Sequence, residues 1–110
     1  MEIKMVNIED LKPQIVEALK PLKPDKIILF GSYANGRPTK ESDIDLLLVK
    51  NERLQNVRGL KVKARLLLKD LIKKYHIGFD ILIIHEELLH TREDYFYKVD
   101  ILQNGKVLYE

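Results

Sequence analysis

Three short apolar runs divide the chain: Lys26-Ile-Ile-Leu-Phe30, Ile44 to Lys50, and Phe79 to Ile84. The first is continuous and rich in β-branched residues, which predicts a strand buried on both faces, and the other two predict a second and a third strand. Between them the apolar positions recur at helical spacing. Ile15, Leu19 and Leu22 predict a helix from about Glu9 to Lys20, with Pro13 tolerable only near its start and Pro21 and Pro24 ending it. Val57, Leu60, Ala64, Leu67, Leu71 and Tyr75, widened by Leu68 and Ile72, predict one long helix from about Arg53 to Tyr75. Gly59 weakens its start, and Gly78 breaks the chain before the third run. Thr91-Arg-Glu-Asp94 is a variant helix-capping pattern, predicting a last helix to about Leu102 with Tyr95, Val99 and Leu102 on one face. Gly105 stops it, and Val107 to Tyr109 can pair as an edge strand. The order α-β-(α)-β-α-β-α-β predicts an α/β (α+β) fold: a small mixed sheet with helices packed on it, one domain over residues 1–110.

Composition narrows the class. Hydrophobic residues make up 45% of 110, too many for a disordered chain. The absence of cysteine excludes a disulfide scaffold, a thiolate metal site and a cysteine nucleophile. No apolar run approaches the ~20 residues that span a bilayer. Glu2, Glu9 and Asp10 make Met1 to Leu11 no signal peptide. A soluble, cytoplasmic protein with no membrane partner is expected. Net charge is only +2, but Lys50 to Lys74 holds nine basic residues against Glu52 and Asp70, leaving −5 elsewhere.

The acidic remainder contains the unusual residues. Aspartate is depleted from strands, yet Asp43 and Asp45 open the second run. Alternation points both to one face and Ile44 to the other. Like charges ~7 Å apart on a partly buried face oppose each other's ionisation, a penalty that a bound divalent cation removes. Asp80 repeats the pattern in the third run. If that strand lies beside the second, ~4.8 Å away, the three carboxylates form a hard oxygen site suited to Mg²⁺.

Gly31-Ser32 supplies a complementary half. A buried strand ending in Gly-Ser and entering a short helix presents backbone N–H groups to a phosphate, and the serine hydroxyl adds a donor. Gly-Ser alone is commonplace. Gly-Ser, ten residues, then Asp-x-Asp arises by chance in roughly one chain per thousand of this length. The stretch Gly31-Ser-Tyr-Ala-Asn-Gly-Arg-Pro-Thr-Lys-Glu-Ser-Asp-Ile-Asp-Leu-Leu-Leu-Val49 resembles the signature of the DNA polymerase beta-like nucleotidyltransferase superfamily. Over nearly its full length the chain is similar to the minimal nucleotidyltransferase (MNT) proteins, which often pair with a HEPN-domain partner as toxin and antitoxin.

The resemblance implies that Gly31 and Ser32 hold a nucleotide triphosphate, that Asp43 and Asp45 bind two Mg²⁺ ions, and that Asp80 is the third catalytic and metal-binding carboxylate. Many relatives carry Arg where this chain has Tyr33 or Asn35, leaving Arg37 and Lys40 as candidates for the cationic phosphate contact. The implied reaction transfers AMP from ATP to a hydroxyl of a HEPN-domain toxin. The alternative is a binding module that holds nucleotide without catalysis and neutralises its partner by contact. Homo- or hetero-oligomeric assembly stays open. The basic face of the long helix lacks interleaved aromatics, so nucleic acid is not an expected partner. It reads first as a solvated face and second as a contact for an acidic partner. His76, His85 and His90 lack paired metal-ligand spacing and read as structural or exposed, and Glu86 and Glu87 read first as a solvated strand end.

Overall fold

The computed structural model describes residues 7–52, 54–91 and 96–110, leaving out the side chains of Phe96 and Tyr97. The first helix, α1, spans Ile8–Leu19 and is capped by Asn7, whose side-chain oxygen accepts from the Glu9 N–H at 3.0 Å. Pro13 lies inside α1 on its solvent side, and the helix continues past it to bury Leu11, Ile15 and Leu19. A 3₁₀ turn, Lys20–Leu22, carries the chain into β1, Lys26–Phe30. A single turn, α2, Ser32–Asn35, follows, and β2 runs Ile44–Lys50.

The expected long basic helix is two segments, α3 Val57–Leu67 and α4 Lys69–Tyr75, separated at Leu68. The interruption is slight, because Leu68 N–H still reaches the Ala64 carbonyl and Ile72 N–H the Leu68 carbonyl, both at 3.0 Å. The start lies at Val57 because the Asn56 side chain accepts from Gly59 N–H at 2.9 Å, and Arg53 lies outside the described residues. Strand β3 is Phe79–His85.

The C-terminal part of the chain departs from the expected order. Glu86 and Glu87 do not end a strand in solvent; they form the first turn of a helix, α5, Glu86–Thr91, where acidic side chains favour the positive end of the backbone dipole. Thr91 therefore closes a helix instead of opening one, and the rest of the predicted capping pattern, with Tyr95, lies outside the described residues. A wide-turned helical segment, Phe96–Ile101, ends before Leu102, which is exposed, while Ile101 takes the buried position. Strand β4, Lys106–Tyr109, forms the sheet edge as expected.

The sheet order is β3-β2-β1-β4, with β2 and β3 parallel and the other pairs antiparallel. Segments α3 and α4 make the crossover that a parallel pair requires. Alternation divides the buried residues between two faces. Ile27, Leu29, Ile44, Leu46, Leu48 and Ile81 pack with α1, α3 and α4, and Ile28, Phe30, Leu47, Val49 and Ile84 pack with Leu89 and Ile101. Burial on both faces explains the near-continuous apolar runs.

At the end of β2 the Lys50 side chain is 4% exposed. Its ammonium donates to the Leu22 carbonyl and pairs with Glu52 at 2.8 Å, tying the end of β2 to the turn before β1. Lys50→Ala leaves the Leu22 oxygen without this donor and is expected to cost about 1–3 kcal/mol. Glu52→Gln, at an exposed carboxylate, is expected to cost under about 1 kcal/mol. Thermal unfolding checks both, and equal melting temperatures for the two variants would contradict this assignment.

Candidate active site

Parallel pairing of β2 and β3 sets Asp45 beside Asp80, and antiparallel pairing sets Phe30 opposite Asp45. Equivalent residues of neighbouring strands point to the same side, so Asp45 and Asp80 share the sheet face of Leu47, Val49 and Ile84. Asp43 stands just before β2, which begins at Ile44. The site thus lies where β2 and β3 begin and β1 ends.

Two glycines make room for the carboxylates. Gly31 has φ 77°, in the region that L side chains rarely adopt, and a Cβ there would overlap the Asp45 Oδ2 atom. A Cβ on Gly78 would come within 2.5 Å of Asp43 Oδ1. The Gly78 carbonyl also accepts from Ile44 N–H at 2.9 Å, so the residue between the two aspartates is pinned to the turn before β3. The sequence shows Gly78 only as a chain break; its pairing with Asp43 is a tertiary contact.

A cleft of about 430 Å³ opens here, lined by Phe30, Gly31, Ser32, Asn35, Arg37, Asp45 and Asp100. Of the predicted nucleotide-binding residues it brings together Gly31, Ser32 and Arg37. Lys40 is exposed in the loop before β2 and is not in the wall. Ala34 and Asn35 N–H groups both return to the Gly31 carbonyl, at 3.1 and 3.0 Å, which folds Ser32 into the cleft wall. Tyr33 is buried in the core, and burial, followed by the charge of Asp43, pushes its phenol pKa up. It is a packing residue. Asp100 was not a sequence candidate, because it comes from the segment after α5 and carries no motif.

Asp45 carries the electrostatic strain. Burial first, then the charges of Asp80 and Asp43, pushes its pKa up to about 6 from 3.8. A cation is the simplest relief. Among the described residues no three acidic or histidine side chains stand close enough to hold a metal ion alone. Mg²⁺ takes one or two carboxylates and completes its shell with water and phosphate oxygens, so Asp45 and a neighbouring carboxylate fit that ion with a triphosphate present.

The family described as polymerase beta, nucleotidyltransferase matches residues 13–110. The chain belongs to it. Two relatives from Methanocaldococcus jannaschii are each named a putative protein adenylyltransferase. One is 36% identical over 107 residues, covering 94% of this chain and all of the relative; the other is 38% identical over 76 residues, covering 69% and 70%. A solved toxin–antitoxin structure with AMP-PNP superposes with a TM-score of 0.60 at 25% identity, over 89% of this chain and 72% of that one. An MntA–HpeT toxin–antitoxin structure, at 22% identity and a TM-score of 0.57, covers 96% and 73% and supports the fold. No helix among the described residues of this nucleotidyltransferase is long and apolar enough to cross a membrane.

The raised Asp45 pKa has a defined stability sign. The protonated form suits the fold, so this contribution is complete below about pH 4 and is lost as pH rises through about 6. Asp45→Asn is expected to stabilise the metal-free nucleotidyltransferase at pH 8 by about 1–2 kcal/mol after solvent screening, with no gain at pH 3.5. Thermal melts across this range check it, and a variant with the same pH dependence as wild type would refute it.

Proposed function

We propose that this nucleotidyltransferase moves AMP from ATP onto a hydroxyl of a HEPN-domain toxin and so acts as its antitoxin. The observation that carries this is Asp45, in register with Asp80, sharing a cleft with Gly31, Ser32 and Arg37. The names of the relatives and the toxin–antitoxin neighbours support the acceptor class.

Each residue has a role its surroundings favour. Gly31 admits the Asp45 carboxylate where a Cβ would stand and so keeps it against the turn that meets the triphosphate, and the Ser32 hydroxyl donates to a phosphate oxygen. The Arg37 guanidinium offsets phosphate charge; Lys40 reaches the triphosphate only if its loop folds inward. Asp43, Asp45 and Asp80 are the proposed ligands for two Mg²⁺ ions, which supply charge neutralisation around the entering and leaving oxygens when bound. The acceptor oxygen bonds to the α-phosphorus, the bond to the pyrophosphate oxygen breaks, and the hydroxyl proton passes to the exposed Asp80 carboxylate. Most of the acceleration comes from positioning and charge stabilisation.

One feature favours the second reading, a nucleotide-holding module that acts by contact: uncharged Asn35, not a second cation, occupies the cleft wall near Ser32. Intact mass spectrometry of the HEPN-domain partner after incubation with MgATP separates the two. The enzyme reading expects a gain of whole AMP units, abolished by EDTA and reduced to background in Asp43→Asn and Asp45→Asn proteins. A stable complex with no mass gain supports the module, and full transfer by both variants would sink the proposed mechanism.

A further inference from the structure

The layer opposite the cleft carries a second concave feature. Val62, Arg65 and Leu66 of α3 and Lys69, Ile72 and Lys73 of α4 line a groove of about 440 Å³. Leu66 is 66% exposed and Val62 55%, although both lie one helical turn apart on the charged side of the crossover. Val62 and Leu66, one turn apart over the hollow, join Ile72 into one contiguous apolar patch with a basic rim, the form that interaction sites take. Ala64 of α3, Leu71 of α4 and Leu68 between them face the core, so Val62 and Leu66 are not spare core residues.

Charge identifies the occupant. From Val57 to Tyr75 seven basic residues stand against Asp70 alone, a local +6 in a chain whose total is +2. Arg65, Lys69 and Lys73 belong to the groove itself. We infer that this groove receives an acidic amphipathic helix of the partner protein, its apolar edge set against Val62, Leu66 and Ile72 and its carboxylates against Arg65, Lys69 and Lys73. Apolar anchors at helical spacing in a groove, with complementary charge around them, are how helical peptides are recognised. Single-stranded nucleic acid fits poorly, since no aromatic ring lines the groove for a base to stack on. A membrane surface needs a protruding apolar face, not a hollow.

The inference rests on the adenylyltransferase reading only in taking the partner to be a protein. The groove packs on the sheet face opposite Asp45 and Asp80. Docking there leaves the cleft open, so the partner is held by one element while another presents the acceptor hydroxyl.

Fluorescence anisotropy on the full chain tests it with a labelled 20-residue helical peptide, leucine at positions i, i+3, i+4 and i+7 and glutamate on its other faces. The comparators are the same peptide with lysine for glutamate, a 20-nucleotide single-stranded RNA and anionic phospholipid vesicles. The glutamate peptide is expected to bind at least about 10-fold tighter than the lysine peptide, and to weaken at least about 10-fold in Leu66→Glu and in Lys69→Glu/Lys73→Glu proteins. The substituted side chains are solvent-facing, so circular dichroism and MgATP affinity should match wild type. Equal binding of the two peptides, unchanged binding in the variants, or loss confined to RNA or vesicles overturns the inference. Lost peptide binding with MgATP affinity intact separates the groove from the cleft; peptide binding without MgATP affinity would count against the catalytic reading alone.

Discussion

Repulsion among carboxylates is the constraint around which this end of the molecule is arranged. Asp45 is partly buried, pressed against the Gly31 backbone and set beside Asp80 by parallel strand pairing. Nothing about packing alone favours such an arrangement, since burial and two like charges all oppose ionisation of Asp45. A fold that tolerates it must recover the cost elsewhere or present the site to a counter-charge. The two glycines show how closely the backbone is fitted around it: Gly31 and Gly78 each leave the space that an Asp45 or Asp43 oxygen uses.

The rest of the sheet offsets that cost. Both faces are buried through the middle of β1 and β2, and the end remote from the carboxylates is tied by polar contacts. Asp25 N–H donates to the Val49 carbonyl at 2.9 Å, and Asn51 N–H to an Asp25 carboxylate oxygen at 2.6 Å. His85 bonds the Asn51 carbonyl at 2.9 Å, and buried Lys50 ties in the turn before β1. One end of the sheet is thus held by satisfied polar groups, while the other gathers carboxylates beside the Gly31-Ser32 turn. The crossover that enforces the parallel register also presents the basic groove on the opposite layer.

The strands were legible because doubly buried strands leave continuous apolar runs, and Asp43, Asp45 and Asp80 stood out against those runs. The relation between Asp45 and Asp80 needed strand order, which no single segment contains. The basic helix was recognisable by its stripe, but its interruption at Leu68 was not, since Leu68 and its neighbours all favour helix. Helix α5 was missed because Glu86-Glu87 after an apolar run resembles a solvated strand end, and only the turn of the chain shows it to be a helix start. Lys50 shows in the sequence only as the end of the second run and one of nine basic residues, and its burial depends on the distant Leu22 carbonyl. Val62 and Leu66 fell among lysines and arginines and vanished into what looked like a charged face.

The charge state of Asp45 is the property on which the chemistry of this cleft depends. Carbon-13 NMR of the selectively labelled aspartate carboxyl, titrated with and without Mg²⁺ and a non-hydrolysable ATP analogue, reads it directly. Without cation the Asp45 carboxyl should titrate near pH 6, and with Mg²⁺ and nucleotide its midpoint should fall to the ordinary aspartate range or below. An Asp45 that titrates as an ordinary aspartate in the free protein, or that does not respond to Mg²⁺ and nucleotide, would contradict the account.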